Sequence, residues 1–274
     1  MTLTNKQITH FQRFMGKWYI QHGRHELPWR QTTDPYQILV SEIMLQQTQV
    51  DRVIPKYLAF LDKFSTVEEL AQASVADVIK HWQGLGYNRR GLNLQRAAQQ
   101  MVNEFNSTVP STTDQLLSLK GIGPYTAAAI QAFAFNLPST VIETNIRTVF
   151  IYHFFPTREQ VSDQELRSLI ESTLDQNHPR QWYSALMDYG TYLKSVLPNP
   201  TRQSKTYRKQ SPLAGSLRQV RGQVLNVLTL KDSLTYDQLR EKITGDKGKL
   251  LTALSDLEKE GFIQCTKNDI SLLD

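Results

Sequence analysis

LKGIGPYTAAAI, at Leu119–Ile130, is the most informative segment of this chain. Gly121 and Gly123 flank one apolar residue, and glycine tolerates positive φ and lets the backbone approach a partner closely. Pro124 suits the first position of a helix, where its missing N–H loses no bond. The segment therefore predicts two helices joined by a tight hairpin. The unpaired N–H groups and the dipole at the start of the second helix suit a phosphate, although a turn without a ligand is the alternative.

An acid follows this hairpin within an otherwise apolar stretch. Glu143 stands in VIETN, twenty residues after Gly123. A phosphate-binding turn followed by a lone carboxylate indicates chemistry on a nucleic acid.

The composition is that of an ordinary globular protein with a mildly basic charge. The chain has 274 residues, 40% hydrophobic and 21% charged, with a formal net charge of +5. This charge fits a polyanionic partner without requiring one. Cys265 is the only cysteine, so the thiolates of this chain cannot build a disulfide, a zinc site or an iron–sulfur cluster. The sequence has no signal-peptide pattern and no apolar run near the ~20 residues of a membrane span. It therefore predicts a cytoplasmic protein without a membrane partner.

The periodicity of apolar residues changes along the chain. Residues 1–195 have helical spacing and predict a nearly all-helical domain. Residues 196–215 hold three prolines and four cations without an acid, which predicts an extended basic linker or a phosphate-contacting loop. Residues 216–274 predict three helices and a terminal β-hairpin, as in a winged-helix domain. The third of these helices is acidic, which favours an accessory role over DNA binding. The linker cations are Arg202, Lys205, Arg208 and Lys209.

Three further motifs precede the hairpin: LPWR at Leu27–Arg30, DPYQILVSEIMLQQTQV at Asp34–Val50 and GLGYNRR at Gly84–Arg90. Together with the hairpin, and in this order, they resemble the helix–hairpin–helix DNA glycosylases. SEIMLQQT is most similar to the MutY-type adenine glycosylases, which remove adenine mispaired with 8-oxoguanine. The resemblance covers about residues 10–195. It implies an all-α glycosylase fold in two helical parts, followed here by the small winged-helix-like α+β domain.

Glu42 matches the general acid of this family. Cleavage of an N-glycosidic bond needs an acid that protonates the departing base and a carboxylate that stabilises the sugar cation. Glu42 lies among Ile38, Leu39, Ile43 and Met44, and burial there would raise its pKa towards a useful range. An exposed helix carboxylate is the alternative interpretation.

Glu143 occupies the position where the family has aspartate, which makes it the candidate for the second carboxylate. Its side chain is one methylene longer, and such sites depend on placement to about half an ångström. Asn145 matches a family asparagine that helps to orient the site. Tyr125 follows GIGP, where endonuclease III-type enzymes carry a lysine that forms a Schiff base and leads to strand cleavage. The resemblance therefore implies base release without strand cleavage.

The chemistry also requires that the nucleotide leave the duplex and that side chains fill the gap. Residues in SEIMLQQT and GLGY match the family positions that wedge the duplex and contact the opposite base. For Leu85 a plain core position is the alternative, and for Gln47 a solvated helix position. The predicted DNA contacts are Arg30, Gln47, Thr48, Leu85, Tyr87, Gly121, Gly123, Arg202 and Lys205.

Two departures from the family pattern are visible. The four cysteines that hold the family's [4Fe–4S] cluster are missing, which implies a clusterless branch in which the basic linker replaces the cluster loop. We expect no cofactor, although the hairpin could hold a monovalent cation. The family's strand-rich domain that reads 8-oxoguanine is also missing, because about sixty winged-helix-like residues stand in its place.

The sequence thus predicts a monomeric, monofunctional glycosylase that removes adenine opposite 8-oxoguanine or guanine in duplex DNA. Two alternatives stay open. One is a glycosylase of the same fold that acts on thymine or uracil mismatches or on another damaged base. The other is a non-catalytic DNA-binding protein that kept the scaffold.

Overall fold

The computed structural model describes residues 2–208, 212–231 and 233–273, so Lys209 of the basic segment lies outside the described residues. Within these residues the chain forms fourteen α-helices and one two-stranded antiparallel sheet, which confirms the predicted, mainly helical fold. The helices are α1 (Asn5–His22), α2 (Pro35–Leu45), α3 (Val50–Lys63), α4 (Val67–Gln72), α5 (Val75–Trp82), α6 (Arg89–Glu104), α7 (Thr113–Ser118), α8 (Pro124–Phe133), α9 (Thr144–Phe154), α10 (Asp163–Thr173), α11 (Pro179–Val196), α12 (Leu217–Leu228), α13 (Tyr236–Lys242) and α14 (Leu250–Glu260). The strands are β1 (Ile263–Cys265) and β2 (Ile270–Leu272).

Helix α2 begins as the sequence predicts. The Asp34 carboxylate accepts the N–H of Gln37 at 2.9 Å, and Pro35 occupies the first helical position. The helix is apolar on nearly every side, so it is buried almost all round rather than along one stripe. Its buried residues are Tyr36, Ile38, Leu39, Val40, Ser41, Glu42, Ile43 and Met44.

The hairpin joins α7 to α8. Gly121 has φ +81°, and a Cβ there would lie 2.7 Å from Cβ of Asn93, so this position requires glycine. Gly123 has φ −99° and caps α8, with Pro124 as the first helical residue. The predicted hairpin is therefore confirmed, but only the first glycine uses positive φ.

Contacts within the described residues divide the chain into two compact units. The first comprises residues 1–42, 110–118 and 122–209, and the second comprises residues 43–109, 119–121 and 210–274. This division follows contacts, whereas the predicted boundaries at residues 195 and 215 follow chain order. Those boundaries stay a prediction.

The C-terminal segment has the predicted order of three helices and a hairpin. β1 pairs with β2, and Leu234 forms an additional antiparallel bridge with Ile270. Helix α14 ends at Gly261, whose φ of +81° suits a left-handed cap. The segment shares one hydrophobic cluster with Ile79 of α5 and Leu92 of α6, and all of these residues belong to the second unit.

The basic segment is partly packed rather than fully extended. Thr201 is buried, and its hydroxyl lies 2.7 Å from that of Thr148 on α9. The Lys205 N–H donates to the carbonyl of Val161 at 3.0 Å. Side-chain and backbone bonds therefore attach residues 201–205 to the first unit, and the role of the segment as a linker stays a prediction.

In the described part of the chain, no helix has both the length and the apolar character needed to cross a membrane.

Candidate active site and DNA-contact loops

Glu42 is a buried acid near the C-terminal end of α2, with a relative exposure of 6%. Its burial confirms the expectation from the surrounding apolar residues. Removal from water raises the pKa of Glu42 from its ordinary value of 4.5 to about 7, against the opposing effects of Tyr125 and Arg30. Glu42 therefore keeps its proton to a higher pH than an ordinary carboxyl group.

Tyr125 is the second residue of α8, and its hydroxyl donates to Oε2 of Glu42 at 3.2 Å. Burial, followed by the charges of Glu42 and Glu143, raises the pKa of Tyr125 well above 10. The phenol keeps its proton at all ordinary pH values and remains a donor. The structure thus brings together two of the four predicted catalytic residues by a direct bond.

Glu143 is the N-cap of α9. Its Oε1 accepts the N–H groups of Asn145 at 2.6 Å and Ile146 at 2.9 Å. Burial raises the pKa of Glu143, while these two bonds and the charges of Lys194 and Arg147 act in the opposite direction. Aspartate and asparagine are among the side chains that usually cap a helix in this way. Here the longer glutamate accepts the two backbone N–H groups of Asn145 and Ile146.

The charge of Glu143 also raises the pKa of Glu42, so the two carboxylates sense each other electrostatically. The surroundings of one carboxyl group favour its protonated form, while the other accepts hydrogen bonds from nearby donors. Such a pair suits one general acid and one carboxylate that stabilises a positive charge.

Asn145 is oriented by both of its neighbours. Its Nδ2 donates to Oε2 of Glu143 at 3.3 Å, and its Oδ1 accepts from the hydroxyl of Thr191 at 3.4 Å. A Cβ at Gly190 would lie 2.3 Å from the carbonyl oxygen of Asn145, so α11 approaches α9 through a glycine. Gly190 and Thr191 were not predicted from the sequence, where two adjacent small residues within MDYGT are their only local signal.

Arg30 was expected to contact DNA, but the structure places it beside the buried carboxylates. Its Nη2 lies 3.5 Å from Oδ1 of Asp188, its Nη1 donates to the hydroxyl of Tyr19, and its side chain is 10% exposed. Arg24 binds the same carboxylate through its backbone N–H, Nε and Nη2. Asp188, whose side chain is 1% exposed, was likewise not predicted from the sequence.

The predicted wedge residues lie on two loops of the second unit. Gln47 is exposed with φ +54°, and Tyr87 has φ +48°, so both hold backbone conformations that non-glycine residues rarely adopt. The hydroxyl of Thr48 donates to the carbonyl of Leu85 at 3.3 Å. Leu85 is only 3% exposed, which favours the core alternative for this residue.

Arg90 binds both loops and was not among the predicted site residues. Its guanidinium carbon lies 5.6 Å from the ring centroid of Trp82 and 5.6 Å from that of Tyr87. Burial lowers the pKa of Arg90 to about 10, so the group stays charged at neutral pH. Its nitrogens donate to the carbonyls of Ile43 at 2.7 Å, Met44 at 3.0 Å, Leu85 at 3.3 Å, Gly86 at 3.1 Å and Gln46, and to the Thr48 hydroxyl at 3.0 Å.

The remaining predicted DNA contacts lie at the surface. Gly121 is exposed at the hairpin, and Gly123 is half-buried at the start of α8. Arg202 and Lys205 are exposed on the packed basic segment. These positions are accessible to a phosphate, and their contacts with DNA stay predictions.

The described residues contain no group of three or more His, Cys, Asp or Glu side chains placed to hold a metal ion. The chain has one cysteine, the exposed Cys265, whereas a [4Fe–4S] cluster of the family type needs four thiolates. The residues present therefore do not fit that cluster.

Residues 40–174 match the HhH-GPD superfamily of base excision DNA repair proteins. The adenine DNA glycosylase of Mycolicibacterium smegmatis is 33% identical over 269 residues, which cover 91% of each chain. The chain belongs to this superfamily. The resemblance inferred from the four motifs is thereby confirmed.

Other relatives match a smaller share of their own length. An adenine DNA glycosylase of Buchnera aphidicola subsp. Baizongia pistaciae is 35% identical over 184 residues, which are 67% of this chain and 52% of that one. The chain thus spans about half of that relative. The structure of a thermostable thymine-DNA glycosylase aligns with a TM-score of 0.62 and 24% identity over 73% of this chain and 93% of that one. At this identity the likeness shows a shared fold.

Proposed function

We propose that the protein is a monofunctional adenine DNA glycosylase that removes adenine opposite 8-oxoguanine or guanine in duplex DNA. The observation that carries the proposal is the buried Glu42, with a pKa of about 7, bonded to Tyr125 and influenced by a second carboxylate. The two relatives from Mycolicibacterium smegmatis and Buchnera aphidicola are both named adenine DNA glycosylases, which supports the choice of base.

In the proposed mechanism, protonated Glu42 gives its proton to a ring nitrogen of the flipped adenine. The bond between the base and C1′ of the sugar breaks, its electron pair leaves with the base, and positive charge develops on the sugar. Ionised Glu143 stabilises that charge. A water molecule then adds to C1′ and loses a proton to the Glu42 carboxylate, which restores the acid. Tyr125 holds the acid in place, and Asn145 orients Glu143.

The two carboxylate oxygens of Glu143 make different hydrogen bonds at the start of α9. Oε1 takes both backbone donors, whereas Oε2 accepts the longer 3.3 Å bond from Asn145. We therefore assign Oε2 to the sugar cation. The extra methylene of glutamate, relative to the family aspartate, is compatible with this role because the cap fixes one end of the carboxylate.

The position after GIGP supports release of the base without strand cleavage. Tyr125 supplies a hydroxyl there and no amine for a Schiff base with the sugar. Lys120 precedes the hairpin and directs its backbone N–H to Oε1 of Gln100 at 2.6 Å. The proposed product is an intact strand with an abasic sugar.

The proposed partner is double-stranded DNA with a mispaired base. Gln47, Thr48 and Tyr87 fill the gap left by the flipped nucleotide, while the hairpin and the exposed cations Arg202 and Lys205 contact phosphates. We propose a cytoplasmic monomer without a cluster, with the monovalent cation at the hairpin as its only bound ion.

A panel of duplexes tests the proposal. Purified protein is incubated in excess over each duplex, so that single turnovers are measured. One set of duplexes carries adenine opposite 8-oxoguanine, guanine or thymine, and the other carries thymine or uracil opposite guanine. We expect adenine release only from the first two, with abasic strands that break only after alkali. Cleavage of thymine opposite guanine with adenine left intact would overturn the choice of substrate.

Glu42→Gln separates an enzyme from a binding protein. We expect it to bind the adenine–8-oxoguanine duplex as tightly as wild type and to lose base release by about 10³-fold. If wild type and variant bind alike and neither releases a base, the protein is a binder on this scaffold.

A further inference from the structure

Arg218, in the first turn of α12, reaches the predicted wedge loop. Its Nη1 donates to the hydroxyl of Tyr87 at 2.9 Å, and its guanidinium carbon lies 5.5 Å from the centre of the Tyr87 ring. These two contacts use both the polar end and the π system of the tyrosine, so they restrict the direction of the ring as well as its position.

The helix that carries Arg218 is fixed to the same unit as the loop. Val220 and Val224 of α12 lie in the hydrophobic cluster that includes Ile79 and Leu92. Glu260, at the end of α14, forms ion pairs with Arg221 of α12 and Arg89 beside the loop. The C-terminal segment therefore holds Arg218 on a rigid support next to the loop.

The local electrostatics of α12 do not explain the position of this arginine. Arg218 follows the N-cap Ser216 by two residues, where the helix dipole disfavours a positive charge. The bond and ring contact with Tyr87 compensate for that cost. Tyr87 in turn has φ +48°, a conformation that its surroundings must maintain.

We infer that Arg218 is a positioning residue for Tyr87, so that the C-terminal segment controls how the wedge side chain meets the opposite base. This inference rests on the proposed function, because it assigns Tyr87 to the gap in the duplex. The winged-helix-like segment would then contribute to discrimination between 8-oxoguanine and guanine through Tyr87. The segment itself would not need to contact the base.

A double-mutant cycle of Arg218→Ala and Tyr87→Phe tests the inference. Tyr87→Phe keeps the ring and removes the hydroxyl that accepts from Arg218. The first readout is the single-turnover rate of adenine release opposite 8-oxoguanine and opposite guanine. We expect Arg218→Ala to lower the rate about tenfold and to reduce the ratio between the two duplexes, while Arg218→Lys restores part of the loss. The double variant should be no slower than the slower single variant, because both changes remove one interaction.

The second readout is affinity for an uncleavable duplex with 2′-fluoro-2′-deoxyadenosine opposite 8-oxoguanine. A cycle measured on this duplex reports the coupling between Arg218 and Tyr87 whether or not the wild type releases adenine. Failure of the proposed function, which is absence of base release by wild type, is thus distinct from failure of this inference, which is additivity of the two changes in affinity.

Arg240→Ala is the matched control, because it removes one exposed positive charge from α13 of the same segment. We expect it to change both readouts less than twofold, as an estimate for one screened surface charge. An Arg218→Ala variant that weakens damaged and undamaged duplexes equally, and lowers the salt dependence of binding, would identify Arg218 as a phosphate contact and overturn the inference. If Arg218→Ala unfolds, Arg218→Lys and Tyr87→Phe complete the same cycle.

Discussion

The carboxylate region of the first unit and the wedge loops of the second unit are organised by opposite means. Around Glu42 and Glu143, burial and helix termini change the protonation of two acids. Around Gln47 and Tyr87, one half-buried cation, Arg90, holds unusual backbone conformations through neutral carbonyl groups. A reaction that needs a proton requires shifted pKa values, whereas insertion into a duplex requires a loop of fixed shape.

Because the two regions are organised differently, substitutions in one region should have different effects from substitutions in the other. A change among the carboxylates should alter rate and pH dependence with little effect on DNA affinity. A change at Arg90 should alter stability and affinity with little effect on pH dependence.

Glu143→Gln should cause the largest loss. The variant keeps an oxygen that can accept the N–H groups of Asn145 and Ile146, but it removes the negative charge proposed to face the sugar cation. We expect the single-turnover rate of adenine release to fall about 10³-fold, which is about 4 kcal/mol of activation free energy. Affinity for the uncleavable duplex should stay within about threefold of wild type.

Glu143→Asp is the matched control, because it keeps the charge and restores the residue of the family. Its rate should remain within about tenfold of wild type. A Glu143→Gln variant as fast as wild type would remove the second carboxylate from the mechanism.

Arg90→Ala should mainly destabilise the wedge loops. It leaves the carbonyls of Ile43, Met44 and Gly86 without their charged donor, and we expect the free energy of unfolding to fall by about 3 to 4 kcal/mol. Urea denaturation measures this loss. Hydrogen exchange should rise at residues 43–48 and 84–88, and affinity for lesion DNA should fall.

Arg90→Lys provides the comparison, because an ammonium group keeps the charge but cannot reach the same set of acceptors. It should recover less than about half of the lost stability. Unchanged exchange in both loops of Arg90→Ala would contradict the assignment of Arg90 as their common support.

Glu42→Gln should increase stability at alkaline pH. The pKa of Glu42 is about 7 in the folded chain against an ordinary value of 4.5, so between these values the folded chain holds the extra proton. Stability is therefore lost as pH rises from 4.5 to 7, and the ionised folded chain carries the full cost of about 3 kcal/mol above pH 7. We expect the variant to unfold at higher urea concentration than wild type at pH 8.

At pH 4.5 the same two proteins should differ little, because Glu42 is then protonated in the folded state. Glu241→Gln, a change at an exposed residue of α13, serves as the control and should alter stability by less than about 0.5 kcal/mol at either pH. An equal difference between Glu42→Gln and wild type at pH 8 and pH 4.5 would show that the effect does not come from ionisation.

The sequence indicated the burial of Glu42 because its signal is local. Asp34 and Pro35 set the start of α2, and the apolar residues around the acid on this helix leave Glu42 only 6% exposed. The hairpin was predictable for the same reason, since Gly121 and Pro124 act through their own backbone.

The arginine sites were not predictable in this way. Arg24 and Asp188 are 164 positions apart, and the motif LPWR gives no indication that Arg30 shares the same carboxylate. Arg90 stands within GLGYNRR, but its acceptors are mostly backbone carbonyls, which have no sequence signature. Pairings of this kind depend on tertiary packing rather than on periodicity.

Tyr125→Phe should give the smallest effect and the clearest link between the phenol and the acid. The hydroxyl bond at 3.2 Å favours ionised Glu42, so its loss raises the pKa of Glu42 further. Wild-type base release should decline about tenfold per pH unit above the pKa of about 7, because only the protonated acid can donate. In Tyr125→Phe this decline should begin at a higher pH, while the rate at pH 6 changes less than about fivefold. A decline that begins at the same pH in both proteins would show that the pH dependence belongs to a group other than Glu42.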